Sequence, residues 1–317
     1  MKEYPLVSSI VITYRHFKYL YESLDSIFMQ DYPNIELTIM DDGSENFPKQ
    51  EIETYIQKNK RDNIKTVRVE TQVKNVGIVK NINSDLRMAQ GEYFVGLNCG
   101  DCFFDSTVIS RVVQRFLDTG WNLISCRRLL CDEKELNPIA YFPSRDECRK
   151  FEKYKTADEQ FKAYAMGECE QMASGSSTYV RKSFFDNFGF YDEIYKLLDD
   201  RPAYLKYVRN NNKMNLAYDI VSIRYRQGGI STTNEMTPVK EQFAKELALA
   251  IEREIVPYMD RFSWQEKRRI NASYLLIKNY SDNYIKRVIT IRRYPDEIVR
   301  RGCNKIINIL KNAIRKL

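Results

Sequence analysis

Short β-branched runs alternate with amphipathic helical segments through the first 125 residues, and this alternation constrains the fold more than any other feature. Residues 8–13 (Ser-Ser-Ile-Val-Ile-Thr) read as a strand, followed by a helical face of Leu20, Leu24, Ile27 and Phe28. Asp31-Tyr32-Pro33-Asn34 breaks that helix. Residues 35–40 form a second strand that runs into the turn Asp41-Asp42-Gly43-Ser44. A helix over 50–58, a strand over 66–70 and a helix over 78–89 follow. A strand over 92–97 then ends in Asn98-Cys99-Gly100-Asp101. Val108, Val112, Val113 and Phe116 mark another helix, and 122–125 another strand. Repetition at this spacing predicts a mostly parallel sheet covered on both faces. Such sheets bind ligands beyond the carboxyl ends of their strands. Three polar clusters fall at such ends: Thr13-Tyr14-Arg15, Asp41-Asp42, and Asn98 through Asp101.

The remainder is less regular. Residues 132–170 read as a loop-and-helix insertion and 172–179 as a stretch of small residues. A helix is expected after Gly189-Phe190-Tyr191-Asp192-Glu193, another over 197–208, and one or two strands over 214–226. From Val239 the pattern is helical, with a boundary near 232–238, so a body of 1–232 carries a helical extension of 233–317.

With 317 residues the chain is large enough to bury a substantial core. Only 12 Gly and 9 Pro exclude a collagenous or low-complexity chain. No apolar run approaches the ~20 residues of a membrane span, and Met1-Lys2-Glu3-Tyr4-Pro5 lacks a signal-peptide core. Seven cysteines without a repeating spacing predict reduced thiols in a cytoplasmic protein. Cys99-x-x-Cys102 has no second pair to complete a zinc site. One histidine, His16, excludes any two-histidine mechanism and leaves acid–base work to carboxylates; His16 itself reads as structural or solvent-facing.

The net charge of +7 is uneven. Residues 284–317 hold ten Lys/Arg against Asp296 and Glu297, which leaves the rest at about −1. This argues against a nucleic-acid-binding body and for a basic appendage meeting an anionic surface. Val299, Cys303, Ile306, Leu310, Ala313 and Leu317 recur at helical spacing, with Arg300, Arg301, Lys305, Arg315 and Lys316 interleaved. Such a helix suits the inner face of a plasma membrane, or packing on the body or a partner chain. Homo-oligomerisation is left open.

Several motifs in order resemble the family 2 nucleotide-sugar glycosyltransferases. They are the opening Pro5-Leu6-Val7-Ser8-Ser9-Ile10-Val11-Ile12-Thr13-Tyr14 with Asp41-Asp42-Gly43-Ser44, then Asn75-Val76-Gly77, Asn83 and Gly91-Glu92-Tyr93. Gly189-Phe190-Tyr191-Asp192-Glu193, Leu198-Asp199-Asp200 and Arg224-Tyr225-Arg226 through Ser231 complete the series, which covers about residues 5–232. The resemblance implies a GT-A fold, a Rossmann-like α/β sheet flanked by helices, here with the C-terminal helical extension. It also implies a UDP- or TDP-sugar donor, Mn2+ or Mg2+, inversion at the anomeric carbon, and a glycan or lipid-linked glycan acceptor of a surface-polysaccharide pathway.

The resemblance assigns nucleotide-sugar contacts to Thr13, Tyr14, Arg15, Asp42, Asn75, Lys80, Asn83, Asn98 and Gly100. It assigns the metal to Asp101, the acceptor side to Asp199 and Arg226, and the general base to Asp200. Each has an ordinary alternative: a turn or cap for Asp101, an Asp-Gly turn for Asp42, strand-end surface for Tyr14 and Arg15, and a helix-start acidic pair for Asp199 and Asp200 with Pro202 just inside. Three departures stand out. The family's Asp-x-Asp-Asp is Asn98-Cys99-Gly100-Asp101 here, its Ala-Arg-Asn is Asn81-Ile82-Asn83 with Lys80 as the available charge, and Arg15 replaces an Asn. The eroded metal motif keeps open a catalytically silent module that binds nucleotide or a partner. A nucleotidyltransferase is disfavoured, because Thr13-Tyr14-Arg15-His16 contains no glycine for a phosphate loop.

Overall fold

The computed structural model describes residues 4–168, 172–229, 237–279, 291–297 and 299. The chain divides into two compact units, Met1–Tyr164 with Cys169–Glu235, and Ala165–Glu168 with Met236–Leu317.

The first unit is built on strands β1 (Val7–Thr13), β2 (Ile35–Asp41), β3 (Ile64–Thr71) and β4 (Tyr93–Asn98), joined by helices α1 (Leu20–Phe28), α2 (Lys49–Asn59) and α3 (Ile78–Leu86). β1 and β2 are buried almost throughout, because helices cover both faces of a parallel sheet. That is why Ile10 to Ile12 and Ile35, Leu37, Ile39 and Met40 are apolar. Glu36 is a buried charge inside β2. Its carboxylate accepts from Ser8 Oγ at 2.5 Å, Gln90 N at 2.6 Å and Gly91 N at 3.0 Å, and pairs with Arg68 at 3.2 Å, which satisfies a charge that burial would otherwise penalise.

The sheet continues through β5 (Cys102–Phe103), β6 (Leu123–Cys131), β7 (Pro138–Phe142), β8 (Thr178–Arg181) and β9 (Asn215–Arg226). The spatial order is β3-β2-β1-β4-β8-β6-β9-β5, with β7 paired to β6. β1 is parallel to both β2 and β4, and β6 to β9. β8 runs antiparallel between β4 and β6, with Tyr93 opposite Arg181. Hence β1, β2, β4, β6 and β9 all end at one edge of the sheet, and β8 begins there. Helix α4 (Val108–Thr119) buries Val108, Ile109, Val112, Val113 and Phe116, the face expected from their spacing. Helices α5 (Arg145–Phe151), α6 (Ala157–Ala165), α7 (Lys182–Phe188) and α8 (Asp200–Arg209) complete the element list of this part of the chain.

Several expectations change. The strand expected over 122–125 extends to Cys131 and pairs with β7, inside the region read as loop and helix. Arg127 and Arg128 hid this extension. They are accommodated because Arg127 Nε donates to the Pro143 carbonyl at 3.0 Å and Arg128 lies over the Tyr225 ring. Turns rather than a helix follow Glu193, and α8 starts at Asp200 rather than 197.

The second unit contains α9 (Pro238–Glu254), a 3-10 turn (Val256–Arg261) and α10 (Trp264–Lys278). Thr237 caps α9 and a Ser263/Glu266 capping box starts α10. No helix among the described residues is long and apolar enough to cross a membrane. Apart from 291–297 and Val299, the basic tail 284–317 lies outside the described residues.

Candidate active site

The turn after β2 is fixed by two carboxylates. Asp41 is fully buried and accepts from Ser44 N, Ser44 Oγ and Thr71 Oγ1, each at 2.7 Å. Asp42 accepts from Val76 N at 2.7 Å, Asn75 Nδ2 at 2.8 Å and Gly77 N at 3.0 Å. Asp42 therefore holds the 75–77 loop against the end of β2. Burial pushes its carboxyl above the usual range, while the Val76 and Gly77 N–H groups pull it back. Of its roughly four acceptor sites, three face donors of its own chain. Asn75 is occupied by the same contact.

At the end of β1, Thr13 Oγ1 donates to the His16 carbonyl at 3.1 Å. Tyr14 and Arg15 are exposed side by side, with the Arg15 guanidinium 5.1 Å from the Tyr14 ring centre. Arg15 N donates to Ser44 Oγ at 2.7 Å, which ties this strand end to the β2 turn. His16 is itself exposed.

The end of β4 carries the third cluster. Asp101 is 7% exposed, and burial pushes its carboxyl up to about 7, against the smaller opposing pull of Arg226 and Asn98. Its two oxygens accept from Arg226 N and Asn98 Nδ2, both at 3.3 Å. These bonds are long, so lone pairs remain for a further ligand. A hard cation could be held by this one carboxylate with its remaining ligands drawn from a diphosphate. Among the described residues no cluster of three His, Cys, Asp or Glu side chains offers an all-protein cage.

Asp199 and Asp200 reach the same edge from α8. Asp200 Oδ2 accepts from Gly175 N at 3.1 Å and Oδ1 from Arg201 N at 2.6 Å. Gly175 opens the short turn leading into β8, which begins at the edge where β4 ends. A Cβ at Gly175 would stand 3.1 Å from Asp199 Oδ2, so the small residue admits the acidic pair. The Asp199 carboxyl is raised, first by burial and then by the neighbouring Asp200 charge.

Two of the expected site residues have intramolecular partners. Asn83 is fully buried and its amide is committed to the 191–193 segment, donating to the Tyr191 carbonyl at 2.8 Å and Glu193 Oε1 at 3.1 Å and accepting from Tyr191 N at 3.1 Å. It positions that segment and offers no free face to a nucleotide. The Arg226 guanidinium donates to the Gly100 and Glu133 carbonyls, pairs with Glu22 and stacks on Tyr19 at 3.8 Å. It clamps the Gly100–Asp101 turn and has little left for an acceptor. Lys80 is exposed on the first turn of α3, on the side of Glu193. Asn98 is exposed beside Asp101, and Gly100 N is held by Ser23 Oγ at 2.9 Å.

Sequence reasoning missed Lys196. Val79 N donates to its carbonyl at 3.3 Å, its stem covers Gly77, and its charge acts on Asp42. The 190–199 segment thus joins the Asp42 loop to the Asp199–Asp200 pair. Only the glycine of Asn-Val-Gly signalled a close approach there.

The sequence model described as Glycosyl transferase family 2 matches residues 8–179, just over half of the chain. An uncharacterized glycosyltransferase of Rickettsia typhi is 27% identical over 206 residues, 65% of this chain and 59% of that protein. One of Rickettsia prowazekii is 25% identical over 241 residues, 75% of this chain and 69% of that protein. Among solved structures, S. aureus TarS 1–349 in complex with UDP-GlcNAc has a TM-score of 0.58 at 18% identity, covering 87% of this chain and 73% of that one. The mannosyltransferase PcManGT from Pyrobaculum calidifontis, in complex with GDP-Man and Mn2+, has a TM-score of 0.58 at 14% identity, covering 99% and 87%.

Proposed function

The chain belongs to glycosyl transferase family 2, and from that premise we propose that it transfers a sugar from a UDP-linked donor to a glycan hydroxyl with inversion at the anomeric carbon. What supports the reading is that Asp42 follows β2, Asp101 follows β4 and Asp200 bonds to the turn that precedes β8, although the three lie far apart in sequence. Asp42 and the loop it holds bind the nucleoside, with Tyr14 and Arg15 flanking the pocket. Asp101 holds Mn2+ or Mg2+, which when bound neutralises the leaving diphosphate. Asp200 accepts the proton of the acceptor hydroxyl as that oxygen attacks the anomeric carbon from the side opposite the diphosphate. Its two backbone hydrogen bonds fix the carboxylate before substrate arrives. UDP-GlcNAc bound to TarS supports a UDP donor and GDP-Man with Mn2+ bound to PcManGT supports a cation. A lipid-linked glycan acceptor of a polysaccharide pathway, met at the membrane surface through 284–317, completes the reading.

The eroded motif Asn98-Cys99-Gly100-Asp101 favours one competing reading, a silent module that binds nucleotide without turnover. The experiment is UDP release from a panel of UDP-sugars with Mn2+, on the unmodified chain and on Asp101→Ala and Asp200→Ala. Transfer or slow donor hydrolysis lost in both variants is expected. UDP binding without any turnover would assign the silent module instead.

A further inference from the structure

A cleft of about 440 Å3 opens at the amino ends of β6 and β9, the edge of the sheet opposite the candidate active site. β6 spans nine residues, so its far end, level with Arg226 whose N–H bonds to Asp101, is about 30 Å away and a ligand in this cleft does not touch Asp101. Trp121, Phe151, Tyr154 and Tyr218 line it with aromatic rings, and Glu152, Lys155 and Lys213 supply one negative and two positive charges. These side chains come from three places in the sequence: the approach to β6, the end of α5, and the start of β9.

We propose that this cleft is a second saccharide site, holding a stretch of glycan outside the reaction centre. The inference rests on the glycosyltransferase reading, which brings glycan to this chain. A pyranose is amphipathic, with C–H faces that suit aromatic rings and a rim of hydroxyls that donate and accept. Trp and Tyr present flat apolar bodies with one polar atom, and the cleft is of the size that small-ligand sites occupy. Glu152 can accept from sugar hydroxyls and Lys213 can donate to them. The lining is held before any ligand arrives. Phe151 and Tyr154 meet edge-on at 6.4 Å, and the Tyr218 hydroxyl bonds to Glu152. Beneath them the buried Gln160 amide brackets Met214, donating to its carbonyl at 3.2 Å and accepting from its N–H at 2.8 Å. A preformed site of this kind loses little ordering entropy on binding.

The chain has two tryptophans, Trp121 and Trp264. Trp264 is 73% exposed, so Trp264→Phe leaves Trp121 as the single indole reporter without disturbing a core. The test titrates full-length Trp264→Phe protein with maltotriose and with chitotriose, following Trp121 emission, and measures UDP binding on the same sample. A saturable change with at least one probe is expected, unaffected by saturating UDP and weakened about tenfold or more by adding Tyr218→Ala, whose ring is 45% exposed. No saturable change with either sugar, or a change that Tyr218→Ala and Tyr154→Ala both leave intact, overturns the proposal. Intact UDP binding beside a silent Trp121 rejects the cleft alone, whereas loss of UDP binding in the unmodified chain rejects the donor reading.

Discussion

Gly77→Ala tests whether the Asp42 loop and the 190–199 segment form one unit. Gly77 sits at φ +94° and ψ +159°, a region that residues with a Cβ enter at a cost of ~1–3 kcal/mol. A Cβ there would lie 2.3 Å from Lys196 Cγ and 2.7 Å from the Lys196 carbonyl oxygen. The side chain can swing aside, but the carbonyl accepts from Val79 N and cannot yield without moving the segment that leads to Asp199 and Asp200. Alternatively Gly77 itself retreats and loosens its N–H bond to the Asp42 carboxylate, a charge-assisted contact of ~1.5–3 kcal/mol. Gly189 provides the control, with φ +76°, ψ +171° and open space where a Cβ would stand. Gly189→Ala should therefore lose ~1–3 kcal/mol by backbone strain alone, and Gly77→Ala ~3–5 kcal/mol. Urea unfolding of both variants reads the difference. Adding Lys196→Ala to Gly77→Ala should recover ~0.5–1 kcal/mol beyond additivity, because it removes the Cγ clash but leaves the carbonyl. UDP affinity and donor turnover should fall together in Gly77→Ala. Equal losses in the two glycine variants, with no coupling to Lys196, would refute the argument.

Four shorter predictions follow from the same geometry. Asp200→Asn should lower transfer ~10²–10⁴-fold with UDP affinity unchanged; single-turnover assays within tenfold of the parent would remove Asp200 from the chemistry. Burial raises fully buried Asp85 from 3.8 to about 6, so the folded state holds a proton that the unfolded state has lost, and stability falls as pH rises from about 4 to 6. That amounts to ~3 kcal/mol at most, and in Asp85→Asn urea midpoints across pH 4–8 should lack this slope; a parallel pair of profiles contradicts the assignment. Asn83→Ala strands the N–H and carbonyl of Tyr191 and should cost ~2–4 kcal/mol, with thermal unfolding as the check. Removing 284–317 should weaken flotation with anionic liposomes, and unchanged flotation would tell against a membrane role.

The parts of the fold that were legible in sequence are those where one physical demand dominates. β1 and β2 are buried along almost their whole length because both faces are covered, so their cores read as β-branched and apolar runs, and turn residues follow them. The resemblance to family 2 read the GT-A sheet from the same residues. β7 was illegible because Pro138-Ile-Ala-Tyr-Phe142 is largely exposed and bears no buried-strand signature, and β5 because two residues carry no period. The start of α8 lies at Asp200 rather than 197, with residues 197–199 outside the helix that their pattern suggested. The intramolecular partners of Asn83 and Arg226 were hidden for a different reason. Residue type told what they could bond, but their partners, Tyr191 and Glu22, lie 108 and 204 positions away.

The acidic residues at the sheet edge differ less in type than in how far their own chain has satisfied them. Asp41 accepts three bonds of 2.7 Å and Asp42 three donors of 2.7–3.0 Å, so both are chiefly devices for shaping loops. Asp101 has two contacts of 3.3 Å, too long to fill its oxygens, and Asp200 has one bond to each oxygen. Unused acceptor capacity thus increases from the β2 side toward β4 and α8. A reaction that needs a cation ligand and a proton acceptor must draw on unfilled lone pairs, whereas nucleoside recognition can work through the loop that a saturated carboxylate holds in shape. On that ground Asp42→Asn, which turns acceptors of three N–H groups partly into a donor, should disorder the 75–77 loop and weaken UDP binding, whereas Asp200→Asn should leave UDP binding intact and remove turnover. Calorimetry with UDP on both variants separates the two, and equal loss of UDP affinity would show that the carboxylates are not divided in this way.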